Sequence, residues 1–394
     1  MKVKCALYVE IEREEELAAL DWAALPQPVM VMGGGSNLLF TKDFPGTVLH
    51  IGIRSTFGPG LILEEGPSPL NVAHNSLKGQ NAGPGPCDKN RPGPKLVAVG
   101  AGTVFDDFCA WAAAESLWGP ENLSLIPGEC GASAVQNIGA YGVEAKDIIH
   151  SIRAYDRVSG TFVCIDPEDC EYGYRTSRFK TQWKGRYIIT AVTYKLSKDP
   201  QPKLDYGGLR KALAERGVEA YSPTASASLR PLPQPAAAGP SLLSGRGWPE
   251  VGEHASTPLT PQIIRNVIID IRNSKLPDPK VTGSAGSFFC NPVISKEHFE
   301  RIKAIAREDN GPDYQVPHYE VGDQIKVPAA WMIEQCGFKG RKLGGAQVYQ
   351  NQPLVIVNAS GDATPEEIIG LEQQVIQTIE KKYGITLHPE VEHI

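Results

Sequence analysis

The sequence predicts a mixed α/β (α+β) protein of more than one domain, and three observations lead there. Short apolar runs end in glycine-rich turns, at 28–32 into Gly33 and at 95–99 into Gly100, the second followed by helical periodicity. Capped amphipathic helices open at Thr260-Pro261, Ser295 and Thr364-Pro365. The length, 394 residues, suffices for two or three domains, each with its own core.

In order, residues 13–25 read as a helix, 28–32 as a short buried strand and 33–37 as the turn that follows. Residues 95–99 form another strand, which enters Gly100-x-Gly102 and then a helix over 104–115. Residues 187–196 alternate well enough for a long strand. Thr260 caps a helix with Pro261 at its first position, and Ile264, Val267, Ile268 and Ile271 recur at helical spacing behind it. Ser295 caps a helix carrying Phe299, Ile302 and Ile305; Thr364-Pro365 opens the last helix, 368–382, which Gly384 stops. A final strand is expected over 385–394. Two stretches read as low-complexity insertions: 64–94, with six Pro and five Gly, and 221–260, where Pro, Gly, Ser and Ala fill 23 of 40 positions. Neither buries enough apolar surface to offset its ordering entropy. The expected division is 1–200, a connecting region 201–272, and 273–394.

Composition narrows the function classes. With 39 Lys+Arg against 45 Asp+Glu, the net charge of −6 argues against a dedicated nucleic-acid binder. No run approaches the ~18 apolar residues of a membrane helix, and Glu10 with the acidic cluster behind it makes a poor signal peptide. The eight cysteines include no Cys-x-x-Cys pair, so they read as free thiols of a reducing, cytoplasmic compartment. His388-Pro389-Glu390 lacks the Pro-Cys-x-x-Cys that would complete a zinc deaminase signature, and no metal site is expected.

Three glycine-punctuated segments suggest a cradle for a phosphate-bearing ligand, because glycine lets backbone N–H groups approach an anion. They are residues 33–37, Gly100-x-Gly102, and Pro127-Gly128 to Gly131 with Asn137 to Gly142 behind it. Gly100-x-Gly102 is no dinucleotide fingerprint, since Phe105 stands where the third glycine belongs; a tight strand-to-helix turn is the competing reading. Residues 33–37 lack the Gly-Lys-Ser/Thr ending of a Walker loop.

Taken in order, nine stretches closely resemble the flavin-dependent UDP-N-acetylenolpyruvoylglucosamine reductases (MurB) of peptidoglycan synthesis. They are GGGSNLLF (33–40), GAG (100–102), ENLSLIPG (121–128), GASAVQNIGAYGVE (131–144), YGYRTSRFK (172–180), DYGGLR (205–210), KLPDPKVTGSAGSFFCNPVIS (275–295), AAWMIEQCGFKG (329–340) and HPEVEHI (388–394). Tyr206, in its own loop, resembles the larger subtype, in which a tyrosine loop closes over the substrate. The resemblance implies a vanillyl-alcohol-oxidase (PCMH-type) FAD-binding domain in two lobes plus a smaller α/β substrate domain. It implies FAD as cofactor and NADPH as co-substrate, and reduction of UDP-N-acetylglucosamine enolpyruvate to UDP-N-acetylmuramate by a ping-pong cycle in one channel. Gly33, Gly34, Gly35, Ser36, Asn37, Gly128, Asn137, Ile138, Gly139 and Gly142 would then lie along FAD.

The resemblance also assigns the chemistry. Hydride delivered to C3 of the alkene leaves negative charge on C2 and its carboxylate, which must be stabilised where it develops and then protonated. Arg175 matches the permanently charged planar donor, Ser287 the proton donor and Glu390 the assisting carboxyl group. Glu390 could help only if protonated or hydrogen-bonded beside Arg175, because a free carboxylate would repel the developing charge. By residue type alone the three would be a solvated arginine, a turn serine and an exposed glutamate. Lys275 and Tyr206 resemble residues that meet the phosphates, while Tyr174, Asn291 and Gln335 match polar substrate positions. A monomer is expected, with small-molecule substrates as its partners.

Two departures accompany the resemblance. Family members begin with an Asn-Thr-Phe-Gly segment packed near the flavin, and this chain reaches Gly33 without it, which raises the expectation of a truncated start. Glu129-Cys130 occupies a position elsewhere small or apolar, and leaves open a redox-sensitive thiol or an inert buried one. The alternatives to the main reading are another oxidoreductase of the same flavin fold and an inactive nucleotide-binding homologue.

Overall fold

The computed structural model describes residues 3–55, 62–63, 94–206, 208–218 and 258–394. The low-complexity expectations over 64–93 and 221–257 therefore lie outside the described residues.

The chain opens with a three-stranded parallel sheet in which Phe44–Ile51 runs between Cys5–Ile11 and Val29–Met32. Between its first two strands in sequence lies helix α1 (Glu14–Ala18), five residues long where a helix over 13–25 was expected. It stops early because the Asp21 carboxylate accepts the amides of Ala23 and Ala24, a local turn that competes with helix.

A five-stranded antiparallel sheet follows, ordered Thr161–Ile165, Ile149–Asp156, Tyr187–Leu196, Lys95–Gly100 and Ile62–Leu63. The expected strand at 187–196 is its centre, and its inward residues Ile188, Val192 and Tyr194 are fully buried. Against it pack α2 (Phe105–Ala114) and α3 (Cys130–Gln136), with the Phe108 and Tyr194 rings stacked 4.4 Å apart. Gly100 and Gly102 are explained here. A Cβ on either would stand 2.4 Å from a backbone carbonyl, that of Ile53 or Ile51, so the tight-turn reading accounts for both.

Helices α4 (Leu209–Ala214) and α5 (Pro261–Lys275) form a second cluster around Leu204, Leu209, Leu213, Ile264, Val267 and Ile268. It is tied to α2 by Arg265, whose Nη2 donates to Asp106 Oδ2 at 2.9 Å.

The third core belongs to the C-terminal part. A four-stranded antiparallel sheet (Gly283–Ser287, Val355–Asn358, Ala346–Val348, Lys342–Leu343) and a three-stranded one (Val293–Ser295, Gln324–Lys326, Tyr319–Val321) are backed by α6 (Lys296–Asn310), α7 (Ala329–Gln335) and α8 (Pro365–Tyr383). The caps read from sequence are in place: Thr260, Ser295 and Thr364 each accept an amide of their first turn, and Gly384 ends α8 at φ +67°.

The expected strand at 385–394 is broken into two short pairings. Pro389 bridges Phe289, and Glu392–His393 runs parallel to Leu38–Leu39. Proline has no amide to continue a ladder. The chain end is nonetheless fastened: Ile394 accepts the Thr41 amide at 2.8 Å and hydroxyl at 2.7 Å.

Candidate active site

Arg175 sits in a turn closed by reciprocal hydrogen bonds between Gly173 and Thr176, with φ +57°, a strained conformation for a non-glycine residue. Lys180 Nζ donates to its carbonyl at 3.3 Å. From there the guanidinium donates to the Gly139 carbonyl at 2.6 Å and brings Nε to 3.2 Å from Glu390 Oε1. A Cβ at Gly139 would come within 2.8 Å of the same guanidinium, so glycine is required by close approach.

Glu390 reaches this point by antiparallel pairing. Its amide donates to the Phe288 carbonyl at 2.8 Å and the Cys290 amide to the His388 carbonyl at 2.9 Å, which sets Glu390 opposite Phe288 and beside Ser287. Burial pushes the Glu390 carboxyl above its ordinary range, and the nearby Arg175, Lys180 and Gln136 only partly offset that. Ser287 ends its strand exposed, behind Gly286 at φ +78°, and its hydroxyl has no hydrogen-bond partner among the described residues. The structure therefore joins Arg175 and Glu390 by direct contact, and Ser287 to Glu390 through the backbone.

The glycine loop at 33–37 faces the start of α3. The Ser36 hydroxyl donates to the Pro127 carbonyl at 3.4 Å, and a Cβ on Gly128 (φ +113°) would stand 3.1 Å from Ser36 Oγ. The amides of Gly34, Gly35, Ser36 and Asn37 have no acceptor among the described residues. Four consecutive unpaired donors are what an anion needs. Gly139 and Gly142 lie in the hairpin formed by Gly139–Ala140 and Val143–Glu144, just after Ile138.

Asn137 is different. Its side chain donates to Glu144 at 3.0 Å and to the Gly173 carbonyl at 2.8 Å, and accepts the Lys146 amide at 3.0 Å. With φ +49° it ends α3, and its polar atoms are spent on the protein rather than left for a cofactor. Asn37 also uses its side chain internally, donating to the Glu390 carbonyl at 3.0 Å.

On the substrate side, Tyr206 stacks on Tyr319 with ring centroids 5.2 Å apart and passes close over Gly142. Asn291 donates to the Tyr174 hydroxyl at 3.3 Å and accepts the Ala329 amide at 2.9 Å. Lys275 and Gln335 are not brought to this network. Lys275 is exposed at the end of α5. Gln335 accepts from Asn310 at 3.0 Å and donates to the Tyr314 hydroxyl at 3.3 Å, pinning α7 to the end of α6.

Two cations were not singled out in the sequence. Lys326 Nζ lies 5.0 Å from the Tyr174 ring centroid and 5.8 Å from that of Tyr319, and burial lowers its pKa. Arg272 is deeply placed near Tyr141, burial lowers its pKa, and its Nε is sealed from solvent without a partner. Asp106 offsets part of the cost of burying this cation, and an anion that joined it would offset more. The available signal for Arg272 was its spacing, one helical turn before Lys275. Cys130 is fully buried and burial pushes its thiol well up, which favours the inert reading.

Comparison with known proteins gives the family. The family model described as FAD binding domain matches residues 91–166, and that described as UDP-N-acetylenolpyruvoylglucosamine reductase, C-terminal domain, matches 278–394. The chain is 37% identical to UDP-N-acetylenolpyruvoylglucosamine reductase of Bacteroides fragilis, covering 100% of this chain and 95% of that protein. It is 38% identical to the protein of that name from Porphyromonas gingivalis, over 93% of this chain and 86% of the relative. For Paraburkholderia xenovorans the figures are 34%, 98% and 92%. The crystal structure of the Thermus caldophilus enzyme shares the fold, with a TM-score of 0.53 over 98% of this chain and 91% of that one, at 20% identity.

Proposed function

This chain belongs to the UDP-N-acetylenolpyruvoylglucosamine reductase family, and we propose that it reduces UDP-N-acetylglucosamine enolpyruvate to UDP-N-acetylmuramate with Arg175, Ser287 and Glu390 as its catalytic group. The observation that carries the reading is the contact of a left-handed, fixed arginine with a buried carboxyl whose pKa is raised. It meets the requirement that Glu390 be neutral or paired beside Arg175.

The residues present fit FAD. The unpaired amides of Gly34 to Asn37 suit its pyrophosphate, and Arg272, whose Nε is sealed without a partner, supplies a cation for a phosphate of either nucleotide. Bound FAD would supply the hydride that the alkene receives, with NADPH as its source. The protein's part is electrostatic and protonic. Arg175 remains charged throughout and faces the carboxylate that gains charge. Burial favours the neutral form of Glu390, and in that form it donates a hydrogen bond there instead of repelling the charge. The Ser287 O–H bond breaks as the C2–H bond forms, and solvent returns the proton to the hydroxyl. Tyr206, Tyr319 and Lys326 line the approach and suit a nucleotide diphosphate. On this reading the enzyme is a cytoplasmic monomer that supplies peptidoglycan synthesis, and through it cell shape and division.

Purified protein should show yellow flavin bands, or gain them on adding FAD. NADPH consumption should then depend on the enolpyruvyl nucleotide. Protein that binds no flavin, or consumes NADPH identically without the nucleotide, would contradict the assignment.

A further inference from the structure

Glu390 meets its closest protein donors on one oxygen. Gln136 Nε2 donates to Oε1 at 2.9 Å, and Arg175 Nε lies 3.2 Å from the same atom. Oε2 receives no hydrogen bond from a described residue and is not among the side-chain atoms sealed from solvent. The other titratable or charged groups facing the carboxyl are Lys180, Tyr174 and Cys290, and Lys180 is engaged with the Arg175 carbonyl.

We propose that Gln136 is a positioning residue for the reaction: its amide holds the Glu390 carboxyl with Oε1 turned to the protein, so that Oε2 is the atom that carries the proton and presents it to the substrate carboxylate. The proposal rests on the function given above and adds a residue to it. A carboxyl group can carry its proton on either oxygen, and an O–H at Oε1 would point at two N–H donors that need an acceptor. Oε1 is therefore the acceptor and Oε2 the donor. Arg175 alone does not fix this choice, because its Nη2 is spent on Gly139 and its Nε lies at 3.2 Å from Oε1, farther than Gln136 Nε2 at 2.9 Å. Gln136 is well placed to hold it. It is the last residue of α3, directly before Asn137, which is locked by three hydrogen bonds.

Gln136→Met keeps the length of the side chain and deletes the donor. Followed by rapid mixing, reduction of the bound flavin by NADPH should stay within about twofold of wild type, and reoxidation by the enolpyruvyl nucleotide should slow by about 10- to 100-fold. The alkaline limb of the reoxidation pH profile should also move upward, because a hydrogen bond that favours the ionised carboxylate is gone. Gln136→Glu, the closest variant in shape, guards against a folding defect in the first; it should recover reoxidation only as pH falls far enough to protonate both carboxyl groups, so that residue 136 donates to Oε1 while Oε2 keeps its proton. An unchanged rate and limb in Gln136→Met would overturn the proposal. So would equal slowing of both half-reactions with the limb in place, which is what a merely structural role gives. Wild-type protein measured alongside separates the two levels: if its reduced flavin is not reoxidised by the nucleotide, the proposed function itself falls.

Discussion

Glu390 sets the pH behaviour at the scale of single residues. Burial raises its pKa, and the protonated form is the useful one, so reoxidation should fall as pH rises through that raised value. Glu390→Gln keeps a neutral donor that cannot ionise. Its reoxidation should be slower than wild type by roughly 10- to 100-fold but without the alkaline limb; a limb that persists unchanged would assign the ionisation to another group. Tyr206→Phe should chiefly raise KM for both nucleotides with a small effect on kcat, since the ring packs near Gly142 and stacks on Tyr319 and makes no hydrogen bond to Arg175 or Glu390. Unaltered KM for both would remove Tyr206 from binding. Arg175, Ser287 and Glu390 could be nominated from the sequence because each falls in a recognisable motif, and the contact of Arg175 with Glu390 was visible only in the structure. Gln136 stood in such a motif and said nothing, since its partner is 254 residues away. Asn137 sits beside glycines in the sequence, and only the structure shows that it ends a helix at φ +49° with its side chain bonded to three protein partners.

Among the elements, α8 carries a second buried acid. Glu372 is 1% exposed, and burial pushes its pKa up to about 7, with His393 Nε2 at 3.3 Å. The folded state therefore holds a proton that the unfolded chain releases near its ordinary value of 4.5. Stability from this group is present below that value, declines as pH rises towards about 7, and levels off above it. Glu372→Gln should raise stability at pH well above this window by about 1–3 kcal/mol and change little at acidic pH. Denaturant melts at the two extremes check it, and a variant less stable at alkaline pH would contradict the account. Helices with local signals, such as those opened by Thr260, Ser295 and Thr364, could be read directly. The helix at 13–25 and the strand at 385–394 could not, because one side-chain turn at Asp21 and one missing amide at Pro389 overrode a periodicity that was otherwise favourable.

For the whole molecule, the proposed site draws on residues from the regions of all three packed clusters. Arg175, Gly139 and Gln136 come from the region of the first, Tyr206 from that of the second, and Ser287, Asn291, Lys326 and Glu390 from that of the third. The chain's last residues close this arrangement, pairing with residues 38–39 immediately after the glycine loop while Asn37 holds the Glu390 carbonyl. No periodicity reports such convergence; order of motifs along the chain did, and only through family resemblance. The most direct test is a single turnover without oxygen, in which flavin reduced by NADPH is mixed with UDP-N-acetylglucosamine enolpyruvate, for wild type and Ser287→Ala. The account predicts equal reduction by NADPH in both, and reoxidation slower in the variant by several orders of magnitude, as expected when the only positioned proton for C2 is removed. Reoxidation of Ser287→Ala at the wild-type rate would contradict it.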